Sequence, residues 1–186
     1  GTNIYVVLPN ATNTSLVWGL GFHGGFLQHV RSCYLMPEIL FWIPVVREIL
    51  LGSGAVSAGR NPEEAILRMT GLGRSVAYAP SGMQDALVVQ EERNIHAQRP
   101  GHSLFSLACQ RGFRVVPCLC LGENDSRFIF FTSERTRRIQ RWFLDKIGYP
   151  FPLLCCPDTK GKRIDVWIGA PISSKGKQPE ELQREF

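Results

Sequence analysis

The sequence predicts an α/β fold, with a mostly parallel sheet flanked by helices and a single domain over residues 1–186. Three observations carry this. Apolar runs of strand length, such as Asn3–Leu8, Ser75–Ala79 and Val115–Leu121, are each closed by turn residues. Segments with helical start and stop signals lie between them, the clearest opening at Asn61 and closing at Gly71. The 186 residues, 44% hydrophobic and 20% charged, are enough to build one substantial core.

The elements follow in order. Asn3–Leu8 is a strand ended by Pro9 and Asn10. Ala11–Leu20 has the composition of a helix opening at Thr12 or Asn13, and Gly19, Gly21, Gly24 and Gly25 then form a turn around His23. That turn opens no clear helix, which makes it a weak phosphate cradle, and His23 reads as a loop residue rather than a catalyst. Cys33–Leu51 is the most apolar segment, but Pro37, Glu38, Pro44, Arg47 and Glu48 interrupt it. Two short helices breaking at the prolines fit it, with Phe41 and Trp42 facing either a lipid surface or the core. Ala55–Ser57 is a short strand or turn. Asn61 caps a helix that carries Pro62 at its first position and Glu63 and Glu64 in its first turn. Leu104–Arg111 is a helix feeding the central strand. Gly122 ends that strand, so Glu123 and Asn124 sit where it leaves the sheet. Ligands gather at such carboxyl ends; a turn capped by Asn124 is the plainer alternative. Phe128–Phe131 is a further strand or turn. Glu134–Ile147 is a basic amphipathic helix around Ile139, Trp142, Phe143 and Ile147, suited to an anionic membrane surface or to a solvated face. Arg163–Ile168 is the final strand, and a helix starts at Pro179.

Composition excludes little else. The net charge of +5 and the isoelectric point near 9.0 suit anionic lipid, a phosphorylated cofactor or nucleic acid without choosing among them. No nucleic-acid module is recognisable, so no nucleic-acid partner is expected. The six cysteines, at 33, 109, 118, 120, 155 and 156, form no CxxC pair and no Cys/His cluster of zinc spacing. No metal is expected, and the thiols suit a reducing compartment. No continuous apolar run reaches membrane-spanning length. The chain opens abruptly on a strand, as a fragment lacking an N-terminal membrane segment and a C-terminal helix would.

Four blocks in order carry a resemblance. Ile43–Glu48 with Gly52, Ser53, Gly54 and Arg60 is the first, and Ser81–Leu87, with Asp85, is the second. Gly112–Asn124 and Ile168–Ile172 complete the set. Together they resemble the type-two branch of the diacylglycerol and monoacylglycerol acyltransferases, distant relatives of the glycerolipid acyltransferases. The resemblance implies a glycerolipid-acyltransferase-like fold, an intracellular membrane such as the endoplasmic reticulum or another organelle, and possible companion subunits.

The same resemblance implies a His-Pro-His-Gly motif after the first strand, whose first His acts as base on the acceptor hydroxyl. Pro9, Asn10, Ala11 and Thr12 stand there. None can take an alcohol proton at neutral pH. The Arg-x-Gly-Phe block falls on Gly101–Leu104, and the Glu before the closing Pro is Ala170. Asp85, Glu123 and Asn124 remain as remnants of a site. The expectation is therefore a catalytically degenerate, membrane-associated lipid-binding or scaffold protein without a cofactor, with Phe41, Trp42 and Trp142 as lipid contacts. The alternative is an active O-acyltransferase that uses acyl-CoA to make neutral glycerolipids or esters.

Overall fold

A computed structural model describes residues 2–8, 32–59, 61–80, 100–121, 127–129, 133–151, 155–157 and 165–186. Five parallel strands form the body of one sheet: β1 (Asn3–Leu8), β2 (Ser32–Met36), β3 (Ala55–Ser57), β4 (Ser75–Tyr78) and β5 (Arg114–Leu121). Their order is β3-β2-β4-β1-β5. A separate antiparallel pair joins β6 (Arg127–Ile129) to β7 (Cys155–Pro157). Beyond β5 the main sheet closes with two short antiparallel strands, β8 (Asp165–Ile168) and β9 (Ile172–Ser173). The architecture is α/β, as expected, with a mixed and mostly parallel sheet.

Strands buried on both faces read as continuous apolar runs, and β1 is the example. Ile4 and Val6 point to one face, and Tyr5 and Val7 to the other; all four are buried. Three helices cover the first face: α2 (Pro62–Gly71), α3 (His102–Arg111) and α5 (Pro179–Glu185). They contribute Ile66, Phe105, Ala108 and Leu182, none of them measurably exposed. The second face carries a 3₁₀ turn, Glu38–Trp42, and α1 (Pro44–Gly52), which seat Leu40, Phe41, Val46 and Leu50 against Tyr34, Ala77 and Val116. Among the described residues the remaining α-helix is α4 (Glu134–Ile147).

Two segments depart from the expected elements. Cys33–Leu51 does contain helical turns after Pro37 and from Pro44, but its first residues are not helical. Cys33–Met36 belong to buried β2, paired with β3 and β4. A short apolar run does not distinguish strand from helix by itself, and sheet pairing decides it. Asp165–Ile168 is not the final strand either, because β9 follows it.

The α2 start is as the sequence predicts. Asn61 Oδ1 accepts the Glu63 backbone N–H at 3.1 Å. Asn61→Ala is expected to lower stability by about 1 kcal/mol in urea denaturation.

The gap between β8 and β9 has a cause in β5. Pro117 sits inside β5, between two neighbours, and has no N–H to give a ladder. Its β1 side is intact, with Val6 opposite. On the other side the antiparallel ladder runs to Cys118–Ile168 and resumes at Val115–Ile172. Gly169–Pro171 bow out between them, and the Gly169 N–H donates to the Pro117 carbonyl at 2.8 Å. A β-carbon on Gly169 would lie 2.8 Å from Pro117 Cγ and 3.2 Å from its carbonyl oxygen. Gly169→Ala should therefore cost about 1–3 kcal/mol by overpacking, read as a lower urea midpoint. Two of the blocks noted in the sequence are in this way one structural unit.

Candidate functional site

Because β4, β1 and β5 are adjacent and parallel, their carboxyl ends open on one edge of the sheet. Tyr78 lies beside Val6, and Leu119 beside Leu8. The segments that leave this edge are those the sequence singles out. Pro9, Asn10, Ala11 and Thr12 follow β1 directly, Asp85 comes after β4, and Glu123 and Asn124 come after β5. All of these lie outside the described residues, as do Arg60, His23, His29 and His96.

What the described residues provide is the floor of that edge, and it is apolar. Cys118 is buried opposite Val7, and burial pushes its thiol up to about 12. Tyr78 ends β4 half-buried; burial first, and the nearby Glu63 carboxylate second, raise its phenol. Burial also raises the Cys33 thiol, against opposition from Arg74 and Arg68. None of these groups is tuned toward base or nucleophile work at neutral pH. Iodoacetamide at pH 8 should leave Cys33 and Cys118 unmodified in the native protein and alkylate both after denaturation, as peptide mass analysis would show.

His102 is the one histidine among the described residues. It opens α3, and its Nε2 lies 3.0 Å from Glu180 Oε1 on α5. The Glu180 carboxyl is held low by a backbone hydrogen bond at its own position and then by His102. This exposed pair links two helices. Among the described residues no group of His, Cys, Asp and Glu could hold a metal ion.

The expected lipid contacts divide. Phe41 packs against the second face of the sheet, whereas Trp42 is 69% exposed. Trp142 on α4 is also exposed. No helix among the described residues is long and apolar enough to cross a membrane. No pattern in the sequence singles out Trp167 on β8, which is 66% exposed beside Leu119. Alternation along β5 places Leu119 on the face of Val115; only the pairing with β8 shows that Trp167 extends this apolar strip toward the open edge.

Comparison with known proteins settles the lineage. The family model described as diacylglycerol acyltransferase matches residues 19–182. The chain belongs to the diacylglycerol acyltransferase family. Its relatives include diacylglycerol O-acyltransferase 2B of Umbelopsis ramanniana, 30% identical over 64% of this chain and 36% of that protein. Diacylglycerol O-acyltransferase 2 of Xenopus tropicalis is 28% identical over 59% of this chain and 31% of its own length. Human acyl-CoA wax alcohol acyltransferase 2 is 26% identical over 72% of this chain and 40% of its own length. The chain thus spans between about a third and two fifths of these relatives. No solved structure matches it. The family match takes in β2 through β9 and reaches Leu182 of α5, but it begins after β1 and the Pro9–Thr12 segment.

Proposed function

We propose that this member of the diacylglycerol acyltransferase family is catalytically degenerate. It keeps a glycerolipid-acyltransferase-like fold and serves as a lipid-binding or scaffold subunit, associated with the endoplasmic reticulum or another organelle membrane and with other protein subunits. The observation that carries this is the sequence leaving β1. At the edge where β4, β1 and β5 end, the chain reads Pro9-Asn10-Ala11-Thr12. Acyl transfer from a thioester to an alcohol needs a group near neutral pKa to take the hydroxyl proton as the oxygen attacks. Neither an amide nor an aliphatic hydroxyl does so. The apolar floor formed by Cys118 and Leu119 supplies no substitute. Exposed Trp42 and Trp142, with the half-buried Phe41 behind Trp42, support contact with lipid. The test is an acyl-CoA transfer assay on purified protein, with no product above background as the expected result.

A second reading, an active acyl-CoA-dependent O-acyltransferase, is favoured by Glu123 and Asn124 at the end of β5 and by Asp85 after β4. Identities of 26–30% to proteins named as acyltransferases also favour it. Turnover abolished by His23→Ala or His29→Ala would select it.

A further inference from the structure

Helix α4 sits on the molecule by an unexpected face. Ile139, Trp142, Phe143 and Ile147 form the stripe that a surface helix ordinarily buries. Here Gln140 is the fully buried residue, and Ile139, Trp142 and Ile147 are exposed. Gly148 then takes a left-handed conformation, φ 71°, and turns the chain back. Phe151 comes to lie edge-on to Phe143 with ring centres 5.6 Å apart, and Trp142 packs edge-on to the same ring at 4.9 Å. Trp142 and Phe151 are each 56% exposed. A cluster of three rings packed edge to face therefore stands at the surface. Arg138 lies one helical turn before Trp142, Lys146 one turn after it and Arg135 two turns before; all three are exposed. The helix as a whole carries five basic residues and two acidic ones.

We propose that α4 and the turn to Phe151 dock in the headgroup layer of an anionic phospholipid bilayer. This rests on the membrane-associated reading above and adds the lipid charge and the element that responds to it. Aromatic rings with exposed apolar faces sit well at the headgroup boundary, and basic residues beside them reach lipid phosphates. The charge complementarity favours an anionic leaflet over a neutral one. Nucleic acid would use the arginines but would leave Ile139, Ile147 and Phe151 in water. Glu134, 3.5 Å from Arg138, does not offset the basic excess, because an exposed pair of this kind is weak.

The experiment is co-sedimentation of the full chain with two kinds of vesicle: phosphatidylcholine alone, and phosphatidylcholine mixed with an equal part of phosphatidylserine. The mixed vesicles should bind more tightly, with affinity falling as salt rises. The triple variant Arg135→Gln, Arg138→Gln, Lys146→Gln, checked for fold by circular dichroism, should lose about a hundredfold in affinity for mixed vesicles, since each basic residue contributes about fivefold. Trp142→Ala should reduce the blue shift of tryptophan emission on binding, the remainder coming from the other tryptophans. Equal, salt-insensitive binding to both vesicles would overturn the anionic docking and leave membrane association standing. Binding to neither would overturn both. Tighter retention on polyuridylic acid than on mixed vesicles would overturn the choice of lipid. Should the triple variant misfold, the salt titration of the unmodified chain decides the same question.

Discussion

Purified protein incubated with a labelled acyl-CoA and diacylglycerol will form no triacylglycerol above background. A positioned general base contributes about 10²–10⁴-fold to a rate, and the position after β1 offers Pro9, Asn10, Ala11 and Thr12 instead. Holding thioester and alcohol together could leave a small residual turnover without it. Other family blocks have drifted as well: Gly101–Leu104 stand where the resemblance implies Arg-x-Gly-Phe, and Ala170 where it implies Glu. Grafting the motif as Pro9→His, Asn10→Pro, Ala11→His and Thr12→Gly should accordingly restore less than the full contribution of a base. Monoacylglycerol and a long-chain alcohol should give the same blank when offered as acceptors. Robust transfer by the unmodified chain, lost in His23→Ala, would sink the degenerate reading and establish the active one.

How much of this was legible in the sequence depends on the kind of signal. Asn61 followed by Pro62 and Glu63 is a local code, because the cap bonds within three residues, and the structure places the helix there. The pairs Arg111–Gly112 and Ile147–Gly148 likewise mark helix ends, each Gly adopting positive φ. β2 was not legible, because Cys33–Met36 is too short for its periodicity to decide, and its identity as a strand rests on distant partners at Ala55 and Ser75. β9 was hidden for a related reason. Only the missing N–H of Pro117, more than 50 residues earlier in the chain, explains why the antiparallel edge breaks at Gly169 and resumes at Ile172. At the candidate site the parallel direction of β4, β1 and β5 could be expected from their apolar runs, whereas their adjacency comes only from the pairing. The exposed Trp167 could not, since it depends on how β8 registers against β5. In α4 the basic and apolar residues were readable, whereas the face the helix buries was not: Gln140 inside and Trp142 outside reverses the usual rule.

Phe105→Ala will be among the most destabilising single substitutions in the described core, at about 3–5 kcal/mol in urea denaturation. The ring is fully buried on the first face of the sheet and packs edge-on to Phe186 with centres 5.6 Å apart. Removing it costs the transfer of the ring from water and leaves a cavity under α5. That cavity cannot readily collapse. Leu182 holds α5 down, Gln183 donates to the Pro100 carbonyl at 3.3 Å, and Lys177 bridges to Glu185 across the same helix. Native domains are stable by only about 5–15 kcal/mol, so a loss of this size also releases α5 and exposes its residues to protease. Phe105→Leu keeps most of the volume and should cost less than about 1.5 kcal/mol. The contact itself can be isolated: Phe105→Ala combined with Phe186→Ala should fall short of the summed single losses by about 0.5–1.5 kcal/mol, the coupling of an aromatic pair. Strict additivity, or a Phe105→Ala loss no larger than that of Phe105→Leu, would show that α5 closes over the vacated space and is not fixed to α3.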